Sequence, residues 1–482
     1  MFEEELKEFE PIFSPKSIAV VGVSAHEKKS GSQWIRGLLT AGFPGVVYPI
    51  GSNGGTIEGL NIFPSLKQVP GEVDYVVICI PRDSVLELLD DCAAKKVKFV
   101  QFFTAGFSEL SEEGRELEEQ IVRKARQGGF RVIGPNCIGV YCSEGRLPCG
   151  PSGTGAIGPN GPVSFVSHSG SILGKVLESG MARHVNCGKA VNFGNGIDLD
   201  ASDFLQYLAA DSKTSVIGVY LEGTRAGRRL FDTMKEVAKS KPLVVWKGGR
   251  TEVGAQAAMS HTGSLASSTA IWSAMLKQVG AIEATNLEEL CDILLIFQQL
   301  GCWRGENVAV IGGLADGGGG ISVSASDACA ENGLRLPSFS SETRMKLTQL
   351  LGEIGNILCN PIDAGQAIRY GLPNLFQAIE AILEDPAIEL LLIQEDADIL
   401  ITFLSREGLI EINEFFIQLR NKQNKPVVIV LPPDCTEAKP LNIEQKLAKA
   451  SVPVFPTMER AAKAIVAINK YCSIVASQAW QS

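Results

Sequence analysis

The sequence predicts an α/β protein of three layered parts: a Rossmann-like first domain and two further open α/β domains of flavodoxin-like character. Short β-branched apolar runs recur along all 482 residues, and amphipathic helical patterns lie between them. Strands that are apolar throughout, alternating with helices, predict parallel sheets covered on both faces. The length fits about three domains at roughly 150 residues each. The 50 glycines are consistent with many tight turns between strand and helix.

Composition excludes several classes. Apolar residues make up 45% and charged residues 20%, as in ordinary globular proteins. A net charge of −10 leaves no excess of Lys and Arg to neutralise a nucleic-acid backbone, so nucleic acid is not an expected partner. No apolar run reaches the roughly 18 residues of a membrane span, and the Glu-rich start lacks the pattern of a signal peptide. The 12 cysteines include no Cys-x-x-Cys pair and fall mostly in apolar segments. They read as reduced core residues, with neither a metal site nor a disulfide framework, and the expected location is the cytoplasm.

In chain order, apolar runs at 17–23, 46–48, 75–80, 97–103 and 131–133 alternate with helical patterns at 84–95 and 111–128. A ligand of this first domain is expected at the carboxyl ends of the strands. The first turn, Gly22-Val23-Ser24-Ala25-His26-Glu27-Lys28-Lys29-Ser30-Gly31, lacks Gly-x-Gly-x-x-Gly. The second strand ends in Pro49-Ile50-Gly51-Ser52-Asn53, without an acid for a ribose hydroxyl. Both absences count against a nicotinamide oxidoreductase. Lys28 and Lys29 beside a helix start suit a phosphate-bearing ligand, although two adjacent lysines are also an ordinary solvated turn.

A Gly/Pro-rich stretch at 148–162 links to the second part, so the expected domains are 1–148, 149–302 and 303–482. The second opens with a strand at 162–166, then Ser167-His168-Ser169-Gly170-Ser171 and a helix from about 171 to 179. Small hydroxyl residues and a glycine entering a helix are what an anion needs, because free backbone N–H groups and the dipole's positive end point at it. A plain serine cap is the simpler reading. Strands at 190–193, 216–221 and 243–246 follow, with helices at 201–210 and 226–239. Glu222 ends one of these strands, as a functional carboxylate or as a polar residue meeting water. Met259 to Ser268 reads as a loop of small residues between helical segments, and it holds His261, one of only four histidines. Its ring nitrogen has room for a phosphoryl group; the alternative is a surface imidazole with no task. The third part has strands at 308–312, 389–393 and 427–431. Its glycine run at 317–320 is not a Walker loop.

Four motifs in this order resemble the nucleoside-diphosphate-forming acyl-CoA synthetases, relatives of succinyl-CoA synthetase. They are Gly134-Pro135-Asn136-Cys137-Ile138-Gly139, Ser167-His168-Ser169-Gly170, Tyr220-Leu221-Glu222-Gly223 and Ser260-His261-Thr262-Gly263-Ser264-Leu265-Ala266. Lys247-Gly248-Gly249-Arg250 and Asn360-Pro361-Ile362-Asp363 add to the match, which is best with the α subunit type of ADP-forming acetate–CoA ligases. The resemblance implies a Rossmann-like CoA-binding domain followed by two flavodoxin-like domains. It implies the reversible reaction acid + ATP + CoA to acyl-CoA + ADP + phosphate, through an acyl phosphate and a phosphohistidine.

By resemblance, His261 is the phosphorylated nucleophile and Glu222 the carboxylate that holds its imidazole. Ser169, Gly170 and Ser171 are the helix start that receives the phosphoryl group. CoA contacts map to Gly22, Ser24, Ala25, Lys28, Pro81, Thr104, Gly106, Asn136 and Cys137. No part of the chain resembles an ATP-grasp module, so an ATP-grasp β subunit carrying ATP/ADP and Mg is implied as partner, in an α2β2 assembly, with a small carboxylic acid and CoA as substrates.

Several positions depart from the family pattern. His168 stands where glutamine is usual, which would make transfer pH-sensitive. Gly51-Ser52-Asn53 replaces Asn-Pro-Lys, and Gly196 stands where lysine is usual. The third domain's Asn-Ala-Gly-Gly-Pro-Gly is replaced by Gly313-Leu314-Ala315-Asp316 and the glycines after it. A catalytically impaired CoA-binding or regulatory protein on the same scaffold is the alternative these departures leave.

Overall fold

Five of the expected apolar runs pair in parallel in the first sheet: β1 (Ser17–Val21), β2 (Val46–Ile50), β3 (Tyr75–Ile78), β4 (Phe99–Phe102) and β5 (Arg131–Ile133), in the order β2-β1-β3-β4-β5. The computed structural model describes residues 2–25, 29–151, 157–262, 269–314, 318–352, 357–365, 367–422, 424–433 and 441–479. Helices α1 (Phe2–Phe13), α2 (Ser30–Ala41), α3 (Val85–Ala94) and α4 (Glu112–Gly128) belong to this part of the chain. The strand order reverses between β1 and β3, the crevice where open α/β sheets bind ligands. There Gly22 sits at φ +99°, and a Cβ on it would lie 2.5 Å from the Cys79 carbonyl oxygen. A Cβ on Gly31 would lie 2.6 Å from the Gly22 carbonyl. Only glycines allow α2 to start this close to the strand ends.

The second sheet contains β6 (Gly139–Cys142), β7 (Val163–Ser167), β8 (Cys187–Asn192), β9 (Val216–Leu221), β10 (Leu243–Lys247) and β11 (Ile282–Ala284), ordered β11-β10-β9-β7-β8-β6. All six residues of β8 and of β9 are buried, as a strand covered on both faces requires. Helices α5 (Gly170–Ala182), α6 (Ala201–Ala210), α7 (Gly227–Ser240) and α8 (Glu252–Thr262) accompany it. The edge strand β6 precedes the boundary expected at 148, yet it pairs antiparallel with β8. Residues 139–142 of the first expected domain therefore complete the sheet of the second. The two parts form one compact unit, Met1–Leu294, and Leu295–Ser482 forms another. Inside the first unit, Arg131 grips Asp198 through two bonds of 3.0 and 3.2 Å, and Asp198 also accepts the Val132 N–H at 2.8 Å.

The helical pattern before His261 runs further than expected. Helix α8 continues through Thr262, so the histidine's backbone stands in the last helical turn and not in a loop. Ala255, Gln256, Ala257, Ala258 and Met259 are good helix formers, which accounts for the extension. The His261 side chain and residues 263–268 lie outside the described residues.

In the second unit, β12 (Val308–Ile311), β13 (Ile357–Leu358), β14 (Ile362–Asp363), β15 (Leu390–Gln394), β16 (Val427–Val430) and β17 (Val454–Phe455) are ordered β13-β14-β12-β15-β16-β17. Ala315, Asp316 and Gly317 of the glycine-rich turn lie outside the described residues, and a helix spans Gly318–Glu331. One cysteine pair differs from the expectation of uniformly reduced thiols. Cys302 and Cys472, 170 residues apart, are bonded, and no local spacing in the sequence announces such a pair. Beside them Phe297 meets Tyr471 edge-on at 5.6 Å.

Glu395, just after β15, is fully buried and accepts a 2.8 Å bond from Asn413. Burial pushes its carboxyl from the ordinary 4.5 up to about 7. Between those values the folded chain holds the extra proton, so this group's contribution falls as pH rises across the window, by roughly 3 kcal/mol in total. Glu395→Gln keeps a partner for Asn413 and carries no charge. Its melting temperature should exceed that of the natural chain near pH 8, and the gap should close near pH 4. Equal melting curves at both pH values would refute the assignment.

Candidate active site

Strands β7 and β9 are neighbours with Ser167 opposite Tyr220, so the segments leaving them start side by side. Ser167-His168-Ser169 leaves one and Glu222 the other. The His168 N–H donates to the Tyr220 carbonyl at 3.0 Å. The Ser167 hydroxyl donates to the Ser169 carbonyl at 2.6 Å and accepts the Ser169 N–H at 3.2 Å, which sets the turn into α5. Ser169 is the N-cap residue but its side chain accepts no backbone N–H of the helix; its hydroxyl meets that of Ser171 at 3.1 Å. The first turn of α5 thus has no side-chain cap from Ser169, and its N–H groups and the helix dipole suit an anion. A Cβ on Gly170 would press on Ile138 and Asn192 at 3.0 and 3.1 Å, so glycine keeps this approach open.

Asn192, at the end of β8, holds the arrangement together. It is fully buried; its amide donates to the carbonyls of Ser167 at 3.1 Å and His168 at 2.9 Å, and its oxygen accepts the Ile138 N–H at 2.8 Å. One side chain ties the turn into α5 to the Asn136-Cys137-Ile138 segment. The sequence reading missed it. Its only signal is an amide directly after the apolar Ala190-Val191 pair, where burial demands partners.

Glu222 is buried, and its carboxylate accepts from the Tyr220 hydroxyl at 3.2 Å. Burial beside this carboxylate pushes the Tyr220 hydroxyl well above its ordinary range. Lys247, opposite Leu221 on β10, is also buried; its amine donates to the Glu222 carbonyl at 2.9 Å and to the Gly248 carbonyl. Burial lowers its pKa, with the Glu222 charge opposing. A Cβ on Gly248 would lie 2.4 Å from the Tyr220 hydroxyl oxygen, which explains the glycine after this lysine. The chain then turns through Gly249 at φ +69° into α8, which carries His261.

A cleft of about 580 Å³ joins these elements to the first sheet. Its lining includes Pro81, Thr104, Asn136 and Cys137 on one side and Ser169, Gly170 and Ser171 on the other. The Thr104 hydroxyl donates to the Ile80 carbonyl at 2.7 Å, and the Asn136 N–H to the Thr104 carbonyl at 3.0 Å. Asn136 has φ +57°. Cys137 is buried, donates to the Phe102 carbonyl at 3.4 Å, and burial pushes its thiol up to about 12. It therefore forms a wall as a neutral thiol and is not a nucleophile.

The remaining positions fall elsewhere. Gly22, Ser24, Ala25 and Gly106 do not line the cleft, and Lys28 lies outside the described residues. Ser24 works through its backbone: its N–H donates to the Ser32 hydroxyl at 3.0 Å and its carbonyl accepts that hydroxyl at 2.8 Å. Gly106 donates its N–H to Glu109 at 2.6 Å. At Gly51 a Cβ would lie 2.1 Å from the Val23 carbonyl oxygen, so this turn accepts only glycine. Among the described residues no group of three or more His, Cys, Asp or Glu is placed to hold a metal, and no helix is long and apolar enough to cross a membrane.

Residues 16–143 match the family described as "CoA binding domain", and residues 160–297 match "Succinyl-CoA ligase like flavodoxin domain". Fold and site thus define the class: a Rossmann-like CoA-binding part joined to a succinyl-CoA ligase-like part. The chain is 33% identical over 478 residues to ADP-forming acetate–CoA ligase I subunit alpha of Pyrococcus furiosus, covering 96% of this chain and 97% of that protein. It is 33% identical to ADP-forming acetate–CoA ligase I of Archaeoglobus fulgidus, covering 97% of this chain but 64% of that longer protein. The solved structure of Ca. Korarchaeum cryptofilum dinucleotide forming acetyl-coenzyme A synthetase 1, in complex with phosphate and ADP, superposes with a TM-score of 0.81 at 32% identity, covering 98% of both chains. The chain belongs to the family of ADP-forming acetate–CoA ligases.

Proposed function

We propose that this chain is the α subunit of an ADP-forming acyl-CoA ligase, with His261 as the phosphoryl carrier and Glu222 as the group that orients it. The carrying observation is the cleft itself. One wall comes from Pro81, Thr104, Asn136 and Cys137; the other is a helix start without a side-chain cap, tied by Asn192 to Ile138 and by the His168 N–H to the Tyr220 carbonyl, two residues before Glu222.

In this reading the first wall binds CoA and the start of α5 binds phosphate. Phosphate oxygen attacks the acyl-CoA carbonyl, the C–S bond breaks, and acyl phosphate and the CoA thiol result. A ring nitrogen of His261 then attacks phosphorus, the P–O bond breaks, and the carboxylate leaves. Neutral imidazole is needed for that attack, and a carboxylate on the second ring nitrogen stabilises the charge that develops. Several N–H bonds are needed to hold the phosphoryl group, since one anion–dipole contact contributes only about 1 kcal/mol.

The domain division at 148 and 302, a cytoplasmic location, and an α2β2 assembly with an ATP-grasp β subunit carrying ATP/ADP and Mg belong to the same proposal. The Pyrococcus furiosus relative, named as a subunit alpha, supports a partner of this kind.

Incubating the isolated chain with an acyl-CoA and labelled phosphate should place acid-labile phosphate on His261, while ATP, acid and CoA should give no acyl-CoA until the partner is added. CoA binding without any phosphoryl-enzyme, even with the partner present, would reject the catalytic reading.

A further inference from the structure

Lys247 ends β10, a strand whose other residues, Leu243-Val244-Val245-Trp246, are apolar, and only 3% of its surface is exposed. Lysine is almost never buried this deeply unless its charge is met. Here two carbonyl oxygens and one aromatic face meet it. The ammonium donates to the carbonyls of Glu222, at 2.9 Å, and Gly248. It also stands 5.4 Å from the ring centre of Trp272, within the range of a cation–π contact.

These partners belong to the three segments around the proposed phosphoryl carrier. Glu222 directly follows β9. Gly248 opens the turn into α8, which carries His261. Trp272 is buried in α9 (Thr269–Val279), the helix that receives the chain after the His261 segment. A second bond docks the turn, from the Gly248 N–H to the Leu221 carbonyl at 2.8 Å, and a Cβ on Gly248 would lie 3.3 Å from the Glu222 Cγ. The roots of the segment are also joined directly, because the Thr269 hydroxyl donates to the Arg250 carbonyl. The chain thus leaves and returns at one place, and Lys247 ties that place to Glu222.

We propose that Lys247 is a positioning residue for phosphoryl transfer: it aligns the Glu222 carboxylate with the imidazole by fixing the Glu222 backbone to both roots of the His261 segment. The inference rests on the function proposed above. Carboxylate and ring stand on different segments, and a hydrogen bond between them weakens steeply once its angle is lost. An apolar side chain at 247 would satisfy the burial of β10 but would leave the two carbonyls unjoined. Attraction between the ammonium and the Glu222 carboxylate acts in the same direction. Lys247 does not line the cleft proposed for CoA, so it can act on the transfer step without acting on CoA.

The test is the rate at which the full chain takes up labelled phosphate at saturating acetyl-CoA, with calorimetry for free CoA. Lys247→Met keeps the apolar stem and removes the donors and the charge. Labelling should slow by about tenfold, the scale of a lost partner behind a reactive group, while CoA affinity stays within about twofold. Glu222→Gln has no carboxylate left to align, so adding Lys247→Met to it should slow labelling by no more than about twofold further. A role in stability alone would not produce that non-additivity. Lys247→Gln, which can still donate to one carbonyl, gives a second reading of the same cycle should the methionine variant not fold. Labelling at the natural rate in either variant, multiplication of the two effects in the double variant, a parallel tenfold loss of CoA affinity, or failure of both variants to fold overturns the inference. Absence of label on the natural chain rejects instead the function on which it rests.

Discussion

Replacing His261 with Asn should abolish the phosphoryl-enzyme and lower turnover of the reconstituted ligase by about 10⁴-fold or more, the scale expected when a covalent nucleophile is removed. Asn and His have similar helix propensities, so the last turn of α8, where the structure carries this residue, should persist. The walls of the cleft proposed for CoA come from other segments, and CoA affinity should therefore change by no more than about twofold, within the usual effect of a remote substitution. The readout is labelled phosphate on the chain after exposure to acyl-CoA and phosphate, with calorimetry for CoA. Label that survives the substitution would move the carrier to another residue. His168 is the first to examine, because it lines the cleft beside Ser169.

Glu222→Gln should slow phosphoryl-enzyme formation by about 100-fold while leaving the fold intact. The substitution preserves volume and an acceptor for the Tyr220 hydroxyl, now 3.2 Å from the carboxylate. The backbone carbonyl that receives Lys247 is untouched. What disappears is the buried negative charge. A carboxylate that orients an imidazole and stabilises its cation is worth about 10- to 100-fold in comparable settings. A structural role alone would instead lower the melting temperature and leave the labelling rate near normal. That pattern would assign Glu222 to the scaffold.

The central strands of the sheets were legible because they carry enough apolar residues to demand burial on both faces. β7, β9 and β10 fall close to the runs expected from the sequence. The helix start at Ser169-Gly170-Ser171 was legible for a similar reason: hydroxyl residues and glycine entering a helix have few uses. The segment before His261 was misjudged as a loop because its small residues read equally as turn and as helix, and local propensity carries the helix onward to Thr262.

Other features had no local signature at all. β6 falls inside the first expected domain and carries no strand signal of its own, and only its antiparallel pairing with β8 assigns it to the second sheet. Cys302 and Cys472 are separated by 170 residues. Lys247 was visible as a motif residue, but its bond to the carbonyl of Glu222 depends on β9 and β10 lying side by side.

The sequence alone determined the kinds of element and the class of domain and nominated residues for phosphoryl chemistry, because periodicity and side-chain type are local properties of the chain. Tertiary structure decided which of them meet. It set Glu222 beside the turn of Ser169 by pairing β7 with β9, and made Asn192 the clamp between that turn and Ile138. Strand order and cavity volume arise from contacts between residues far apart in the chain, and these become defined only when the sheets pack.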